Sequence, residues 1–126
     1  MGRLHGDLQA RALDLAVAVV ELTDGFPGNT KGWEIGRQLI RAGTSIGANL
    51  CEADHALTDA DFAHKASIAR KEAAETAYWL KVCVRARIAS GDSVAGLAAE
   101  VDEFVRILSA MVRKTQSYIS RSGARR

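Results

Sequence analysis

The sequence predicts an all-α fold, an antiparallel up-and-down four-helix bundle. Four long segments repeat apolar residues at helical spacing, and no segment alternates polar and apolar residues as a half-buried strand does. Short, mostly polar stretches separate the segments, and short connections make consecutive helices antiparallel neighbours. With 126 residues, 48% of them hydrophobic, the chain is long enough for one core, so we predict a single domain over residues 1–126.

The first predicted helix covers about residues 7–24, with Asp7 as a suitable N-cap. Its inner face repeats Leu8, Ala12, Leu15, Val19 and Leu22. A second apolar stripe, Leu13, Val17 and Val20, lies on another side of the same helix. An outer helix of a monomer seldom has two apolar sides, so burial of the second stripe against another subunit is a hypothesis.

The second predicted helix covers about residues 31–55 and begins after a loop that contains the only proline, Pro27. It carries an apolar stripe next to a polar one. The apolar stripe consists of Ile35, Leu39, Ala42, Ile46, Leu50 and Ala53. The polar stripe consists of Gln38, Arg41, Ser45, Asn49 and Glu52.

Three glycines, Gly36, Gly43 and Gly47, lie near one another on a further side of this helix. Each costs about 1 kcal/mol of helix propensity relative to alanine. We therefore expect another backbone to approach the helix closely there.

The third predicted helix covers about residues 59–90 and the fourth about residues 93–119, followed by a basic tail over residues 120–126. Thr58 and Asp61 have the spacing of a helix-start capping pair. The triplet Ser90-Gly91-Asp92 offers a C-terminal glycine and then an N-cap, so we predict the boundary between the two helices there.

The polar stripe is the sharpest functional signal, because buried polar groups without partners are costly. Glu72 and Glu75 on the third helix are available for Arg41, Lys31 or Arg37, which favours a hydrogen-bond network between helices or subunits. A ligand or nucleic-acid site on the same stripe is the alternative, although Arg41 is its only basic member. Trp33, Tyr78 and Trp79 could stack on bases, but aromatic residues on bundle helices usually belong to a core or an interface.

The net charge of +2 does not by itself indicate a nucleic-acid partner. The distribution of charge is more informative, since the chain has no acidic residue from Arg113 onward. We single out a basic C-terminal group as a candidate nucleic-acid contact, with a solvated tail as the alternative. Its members are Arg113, Lys114, Arg121, Arg125 and Arg126.

No residue pattern indicates catalysis, a cofactor or a metal. His55 and His64, with the aspartates around them, lack the Glu-x-x-His spacing of metal sites in helical bundles. Cys51 and Cys83 have no histidine in a catalytic arrangement and no CxxC spacing. Without an apolar leader or a membrane-length apolar run, a reduced cytoplasmic setting without a membrane fits best.

Two blocks of residues, in order and at bundle separation, resemble the bacterial four helix bundle protein family, also called the 23S rRNA intervening sequence protein or S23 ribosomal protein family. The first block runs from Arg37 to Ala53; the second contains Asp61-Phe62, Lys65 and the run Lys71-Glu72-Ala73-Ala74-Glu75-Thr76-Ala77-Tyr78-Trp79-Leu80. The resemblance extends from about Leu13 to Tyr118. Many members read Asn-Ile-Ala-Glu-Gly where this chain has Asn49-Leu50-Cys51-Glu52-Ala53, and Gly-Ser where it has Lys71-Glu72.

The resemblance implies an up-and-down bundle that assembles with itself, commonly as a ring of five, without established enzymatic activity. Some members are encoded inside insertions in 23S rRNA genes, and a distantly similar bundle is a nucleic-acid-binding accessory factor of a reverse transcriptase. We therefore expect a non-enzymatic homo-oligomer, with a pentamer favoured, whose basic residues contact RNA or DNA. A scaffold that recruits an unknown partner protein is the alternative, and an enzyme using Glu52, Glu72 or Glu75 as acid or base is a third hypothesis.

Overall fold

The computed structural model of the chain describes residues 2–4 and 6–124. These residues form four α-helices and no strand, which confirms the predicted fold class. The helices are α1 (Gly6–Thr23), α2 (Thr30–Asp54), α3 (Asp59–Arg85) and α4 (Asp92–Ala124). None of them is long and apolar enough to cross a membrane.

Contacts between neighbouring helices show that they run antiparallel. Along α2, Arg41 pairs with Glu72 of α3, whereas the later residue Glu52 pairs with the earlier Lys65. Each helix packs against its neighbour in sequence, and α1 also packs against α4, which closes the bundle. The largest fully buried side chains fill the centre: Val19, Leu39, Ile46, Leu50, Leu80, Val101, Phe104 and Leu108.

Of the four contacts between helices, the one between α1 and α4 is the smallest. Arg11 of α1 links the two helices. The Arg11 guanidinium donates to Glu100, with an Nη2–Oε1 distance of 2.7 Å, and approaches Glu103 at 3.1 Å. It also lies 5.4 Å from the ring centroid of the buried Phe104. The pairing raises the pKa of Arg11, chiefly through the Glu100 hydrogen bond.

Two of the three predicted glycines, Gly43 and Gly47, face α1, whereas the nearest atom to a Cβ on Gly36 belongs to Phe26 of the preceding loop. A Cβ on Gly43 would lie 2.9 Å from both Cγ atoms of Val19, and one on Gly47 would lie 3.4 Å from the Cβ of Ala12. The carbonyl oxygen of Ala12 would be 3.6 Å from the same Cβ on Gly47, so the α1 backbone does approach α2 closely. Ala12 lies against Gly47, and the later residue Val19 lies against the earlier residue Gly43, so α1 and α2 run antiparallel.

The predicted end of the third helix, at Ser90, is wrong: α3 ends at Arg85. Arg87 has a left-handed φ of 59°. Its N–H donates to the Val84 carbonyl at 3.2 Å, and the Ile88 N–H donates to the Cys83 carbonyl at 2.8 Å. These two bonds form a Schellman cap, which usually has glycine where this chain has arginine.

The predicted end of the fourth helix is also wrong, because α4 continues through Ala124. The prediction stopped the helix at Ile119, the last residue of the apolar stripe, although polar residues extend a helix equally well where one side faces solvent. The residues assigned to a basic tail are therefore helical up to residue 124. Arg125 and Arg126 lie outside the described residues.

Candidate functional site

The charged members of the α2 polar stripe reach α3. The Arg41 guanidinium pairs with Glu72, at an Nη1–Oε2 distance of 3.3 Å, and with Glu75. Nearer the end of α2, the Lys65 ammonium lies 3.4 Å from the Glu52 carboxylate. Of the three cations that the sequence left open as partners, Arg41 is thus the one that pairs with these glutamates, whereas Arg37 pairs with Glu34.

Two uncharged members of the stripe, Ser45 and Asn49, bond within their own helix. The Ser45 hydroxyl donates to the Arg41 carbonyl at 2.6 Å, and the Asn49 amide donates to the Ser45 carbonyl at 2.8 Å. Gln38 lies half-buried two turns before Ser45. Because these bonds lie within α2, the half-buried Ser45 and Asn49 side chains have hydrogen-bond partners without any contact to α3.

Glu75 receives two donors, one of which the sequence reasoning missed. The Trp79 indole N–H donates to its carboxylate at 3.0 Å from one turn later in α3, and Arg41 donates to the same oxygen. The pKa of Glu75 lies below its usual value, first because of the Trp79 hydrogen bond and then because of Arg41, against the opposing effect of partial burial. The sequence did contain a signal for this bond, because Glu75 and Trp79 are four residues apart and such side chains are neighbours on one face of a helix.

An apolar surface remains uncovered on the outer side of α1. We call it the α1 outer stripe: Leu13, 65% exposed, Val17, 48%, and Val20, 43%. Beside it, small α2 residues line a shallow groove of about 350 Å³ that includes Ala48 and Cys51. The three branched side chains lie on successive turns, so they form one continuous apolar strip.

A second groove, of about 770 Å³, lies where the α1–α2 loop meets α2. We call it the Trp33 groove, because the Trp33 indole, 65% exposed, lies on its wall with Phe26 and Ile40. Thr23, the last residue of α1, also lines it, so the groove continues from the end of the α1 helix.

A third groove, of about 410 Å³, lies at the end of the bundle where α2 joins α3. We call it the α4 groove. One of its walls is the C-terminal part of α4, including Lys114, Tyr118 and Arg121, and the other includes Arg3 and Phe62. Of the predicted basic group, Lys114 and Arg121 therefore meet at one groove, whereas Arg113 is exposed outside its lining.

The family model described as 23S rRNA-intervening sequence protein matches residues 7–110. The chain belongs to this family. The solved structure of a protein of unknown function from the S23 ribosomal protein family of Bacteroides thetaiotaomicron is similar, with a TM-score of 0.77 and 34% sequence identity. The similarity covers 82% of this chain and 96% of that one. No curated protein matches the chain.

The polar stripe, the α1 outer stripe and the Trp33 groove all lie within residues 7–110, the span that the model of the 23S rRNA-intervening sequence protein family matches. The α4 groove differs, because its α4 wall begins at Met111 and lies beyond the matched span. The groove is thus a property of this chain that the family match does not describe.

Within the described residues of this family member, no three His, Cys, Asp or Glu side chains lie close enough together to hold a metal ion. The His55 ring bonds through Nδ1 to the Cys51 carbonyl at 3.0 Å, and His64 is exposed. The lowered pKa of Glu75 makes its carboxyl group a poor proton donor at neutral pH.

Proposed function

We propose that this member of the 23S rRNA-intervening sequence protein family is a non-enzymatic homo-oligomer that associates with nucleic acid. A ring of five in the bacterial cytoplasm is the form that the resemblance implies. Both cysteines are free, which suits a reducing compartment. The observation that carries the proposal is the α1 outer stripe.

The α1 outer stripe favours assembly because of its exposure and shape. Leu13, Val17 and Val20 are between 43% and 65% exposed, on a helix whose inner face is buried at Ala12, Leu15 and Val19. Burying a branched apolar side chain is worth about 1.5–3 kcal/mol relative to leaving it exposed. A second copy of the chain is always present at the same concentration, so it is the simplest partner to cover the stripe.

The Trp33 groove favours a ring over a pair. A two-fold dimer uses one patch on both subunits, whereas a ring with an odd number of subunits needs two different patches that meet head to tail. The α1 outer stripe is a convex row of aliphatic side chains, and the Trp33 groove is concave, with Phe26, Trp33 and Ile40 on its walls and Asp24, Arg37 and Arg41 also in its lining. The two surfaces have the complementary shapes that such a contact requires.

The exposed cations of α4 support the nucleic-acid association. Arg113, Lys114 and Arg121 lie within the acid-free C-terminal segment, and all three are exposed. A ring repeats this group once per subunit, which concentrates positive charge that is modest in one chain. Phosphate binding by such a group weakens steeply as salt rises, because counterions are released.

Two measurements test the proposal. Light scattering after gel filtration should give the mass of five 13.5 kDa chains, and a mass of one chain would refute the assembly. Filter binding against structured RNA and duplex DNA should show affinity that falls as salt is raised. Absence of salt-dependent binding in the micromolar range would remove the nucleic-acid association and leave the assembly standing.

The exposure of Trp33 favours a second candidate, a scaffold that recruits a partner protein through the Trp33 groove. Exposed tryptophans beside apolar clefts are common anchors of protein contacts. A pull-down from the native host with wild-type protein and a Trp33→Ala variant separates the two candidates. A protein retained by the wild type alone favours the scaffold, and nucleic acid as the only retained material counts against it.

A further inference from the structure

We infer that the α4 groove binds a single-stranded segment of nucleic acid, with an unpaired base against Tyr118 and its phosphates at Lys114 and Arg121. The inference rests on the proposed nucleic-acid association and adds to it a site and a preference for unpaired strands. It is carried by the arrangement of an exposed aromatic ring between two cations at the groove.

The three side chains share one face of α4. Residues 114, 118 and 121 are spaced by four and three positions, which places them on successive turns. Tyr118 is 58% exposed although it lies at a groove that also contains Phe62 and Met111. The Tyr118 side chain is therefore largely open to solvent next to an apolar floor formed by Phe62 and Met111.

The opposite wall is held in place by the N-terminal segment. The Leu4 N–H donates to the Asp54 carboxylate at 2.7 Å, and the Arg3 side chain donates to the Ala56 carbonyl at 2.9 Å and to Asp59 at 2.7 Å. The Arg3 guanidinium also lies 5.8 Å from the Phe62 ring centroid. These bonds fix the segment across the α2–α3 loop and give the groove its second side.

The charge of the groove favours an anion. Asp59, its one acidic lining residue in the described structure, is paired with Arg3, so these two charges offset each other. The charges that remain are those of Lys114 and Arg121, for which the described residues provide no acidic partner within salt-bridge distance. A lone anion would satisfy the two cations, but it would leave the ring and the apolar floor unused.

The combination of cations and an open aromatic ring distinguishes single strands from duplexes. Proteins that bind single strands combine a basic groove with aromatic rings on which bases stack, and each stacked base contributes substantially to affinity. In a duplex the bases already stack on each other, and the backbone alone would reach the cations. The volume of about 410 Å³ is within the range of small-ligand sites and suits a nucleotide.

The test compares a short fluorescent oligothymidine with a blunt duplex, using the full chain and fluorescence anisotropy. Wild type should bind the single strand more tightly than the duplex. Tyr118→Leu should weaken binding of the oligothymidine about tenfold without changing duplex binding, whereas Tyr118→Phe should retain the affinity because it keeps the ring. Lys114→Gln should reduce the slope of affinity against salt by about one phosphate contact.

Matched variants on α3 provide the controls. Tyr78 is also 58% exposed, and Lys81 is an exposed lysine near the opposite end of the bundle. Tyr78→Leu and Lys81→Gln should leave oligothymidine affinity unchanged, with helix content and assembly mass checked for every variant. A crosslink from bromodeoxyuridine in the oligothymidine should map to the peptide containing Tyr118.

The outcomes separate the site from the general function. Equal affinity for single strand and duplex, or no effect of Tyr118→Leu, overturns the inference while the nucleic-acid association stands. No binding of either probe overturns both. Equal losses in Tyr78→Leu and Tyr118→Leu would also overturn the assignment to this groove.

Discussion

The Trp79 indole N–H donates to the Glu75 carboxylate from one turn later in α3, at 3.0 Å. The bond orients the glutamate towards α2, where Arg41 donates to the same oxygen. One carboxylate therefore joins an aromatic side chain of its own helix to a cation of the neighbouring helix. The lowered pKa of Glu75 follows from both donors and keeps it ionised at neutral pH.

Replacing Glu75 with glutamine should lower the free energy of unfolding at neutral pH by about 1 kcal/mol, because the amide keeps the shape but loses the charge that Arg41 and Trp79 favour. Urea unfolding measures the change. Glu34→Gln is the control, since the one partner of Glu34 among the described residues is the exposed Arg37, three residues later at 2.6 Å. A larger loss from Glu34→Gln would contradict the assigned role of Glu75.

The effect of Glu75→Gln should depend on pH. Because the folded pKa lies below the ordinary value of 4.5, the charged carboxylate stabilises the fold fully above pH 4.5 and loses this contribution as pH falls through the folded pKa. The difference between wild type and variant should therefore be constant near neutrality and shrink in acid. Unfolding curves across this range would disprove the linkage if the difference stayed constant into strong acid.

Alanine at two glycines should have opposite effects. Gly43→Ala should destabilise the bundle by about 1–3 kcal/mol, since its Cβ would lie 2.9 Å from the Val19 methyl carbons. A Cβ on Gly96 in α4 would meet no atom of the described residues within 4 Å, apart from the local helix backbone, so Gly96→Ala should stabilise by about 1 kcal/mol through helix propensity. Thermal unfolding measures both. Combining Gly43→Ala with Val19→Ala should remove the clash, and a stabilising Gly43→Ala alone would be inconsistent with the packing.

Arg87→Gly should stabilise the protein by about 0.5–1 kcal/mol. The arginine has φ of 59° at the end of α3, and a left-handed conformation is costly for any residue with a Cβ. Part of the gain is lost to the greater freedom of glycine in the unfolded chain. Chemical denaturation measures the net effect, with Arg85→Gly, inside the last turn of α3, expected to destabilise. Loss of stability in Arg87→Gly would mean that its side chain has a structural role.

Val17→Glu should break the proposed assembly without unfolding the chain. A buried unpaired carboxylate is costly at an interface, whereas the 48% exposed position tolerates it in a monomer. Light scattering should give a lower mass and circular dichroism an unchanged helix content. Val84→Glu, at a 49% exposed position of α3, is the matched control and should leave the mass unchanged. An unaltered mass in Val17→Glu would remove the α1 outer stripe from the interface.

Cys83 should be unreactive in the folded protein. Burial raises the pKa of its thiol to about 11, so near pH 8 only about one molecule in a thousand carries the thiolate. In a Cys51→Ser variant, a thiol reagent should therefore detect no cysteine until denaturant is added, after which it should detect one. Rapid reaction of the native variant would contradict the burial of Cys83 in the core.

The helices and their inner faces could be predicted from sequence because apolar periodicity reports burial directly. The end of α3 could not, since Arg87 occupies the left-handed position that a sequence reader assigns to the nearby Gly91. Tertiary packing selects that conformation, with Cys83 and Ile88 buried on either side of the turn. Helix propensity and glycine positions do not report this packing, so they cannot place the end of α3 at Arg85.

The candidate sites were predictable in part. Charge complementarity indicated that Glu72 and Glu75 would meet a cation, but it left Arg41, Lys31 and Arg37 open as candidates. It also could not tell that Ser45 and Asn49 would bond to their own helix. The α4 groove could not be predicted, because one wall comes from Arg3 and the other from residues more than a hundred positions later. Only the folded chain places Arg3 beside Tyr118.

The order in which the helices pack has a consequence for how the chain acquires its structure. Contacts between α1 and α2, α2 and α3, and α3 and α4 join consecutive segments, so most native contacts form across a single short loop. Topologies of this kind have low contact order and fold quickly. The Arg11 contact with Glu100 spans most of the chain, so closing α1 onto α4 costs the largest loop-closure entropy, and we expect this contact to form after those between consecutive helices.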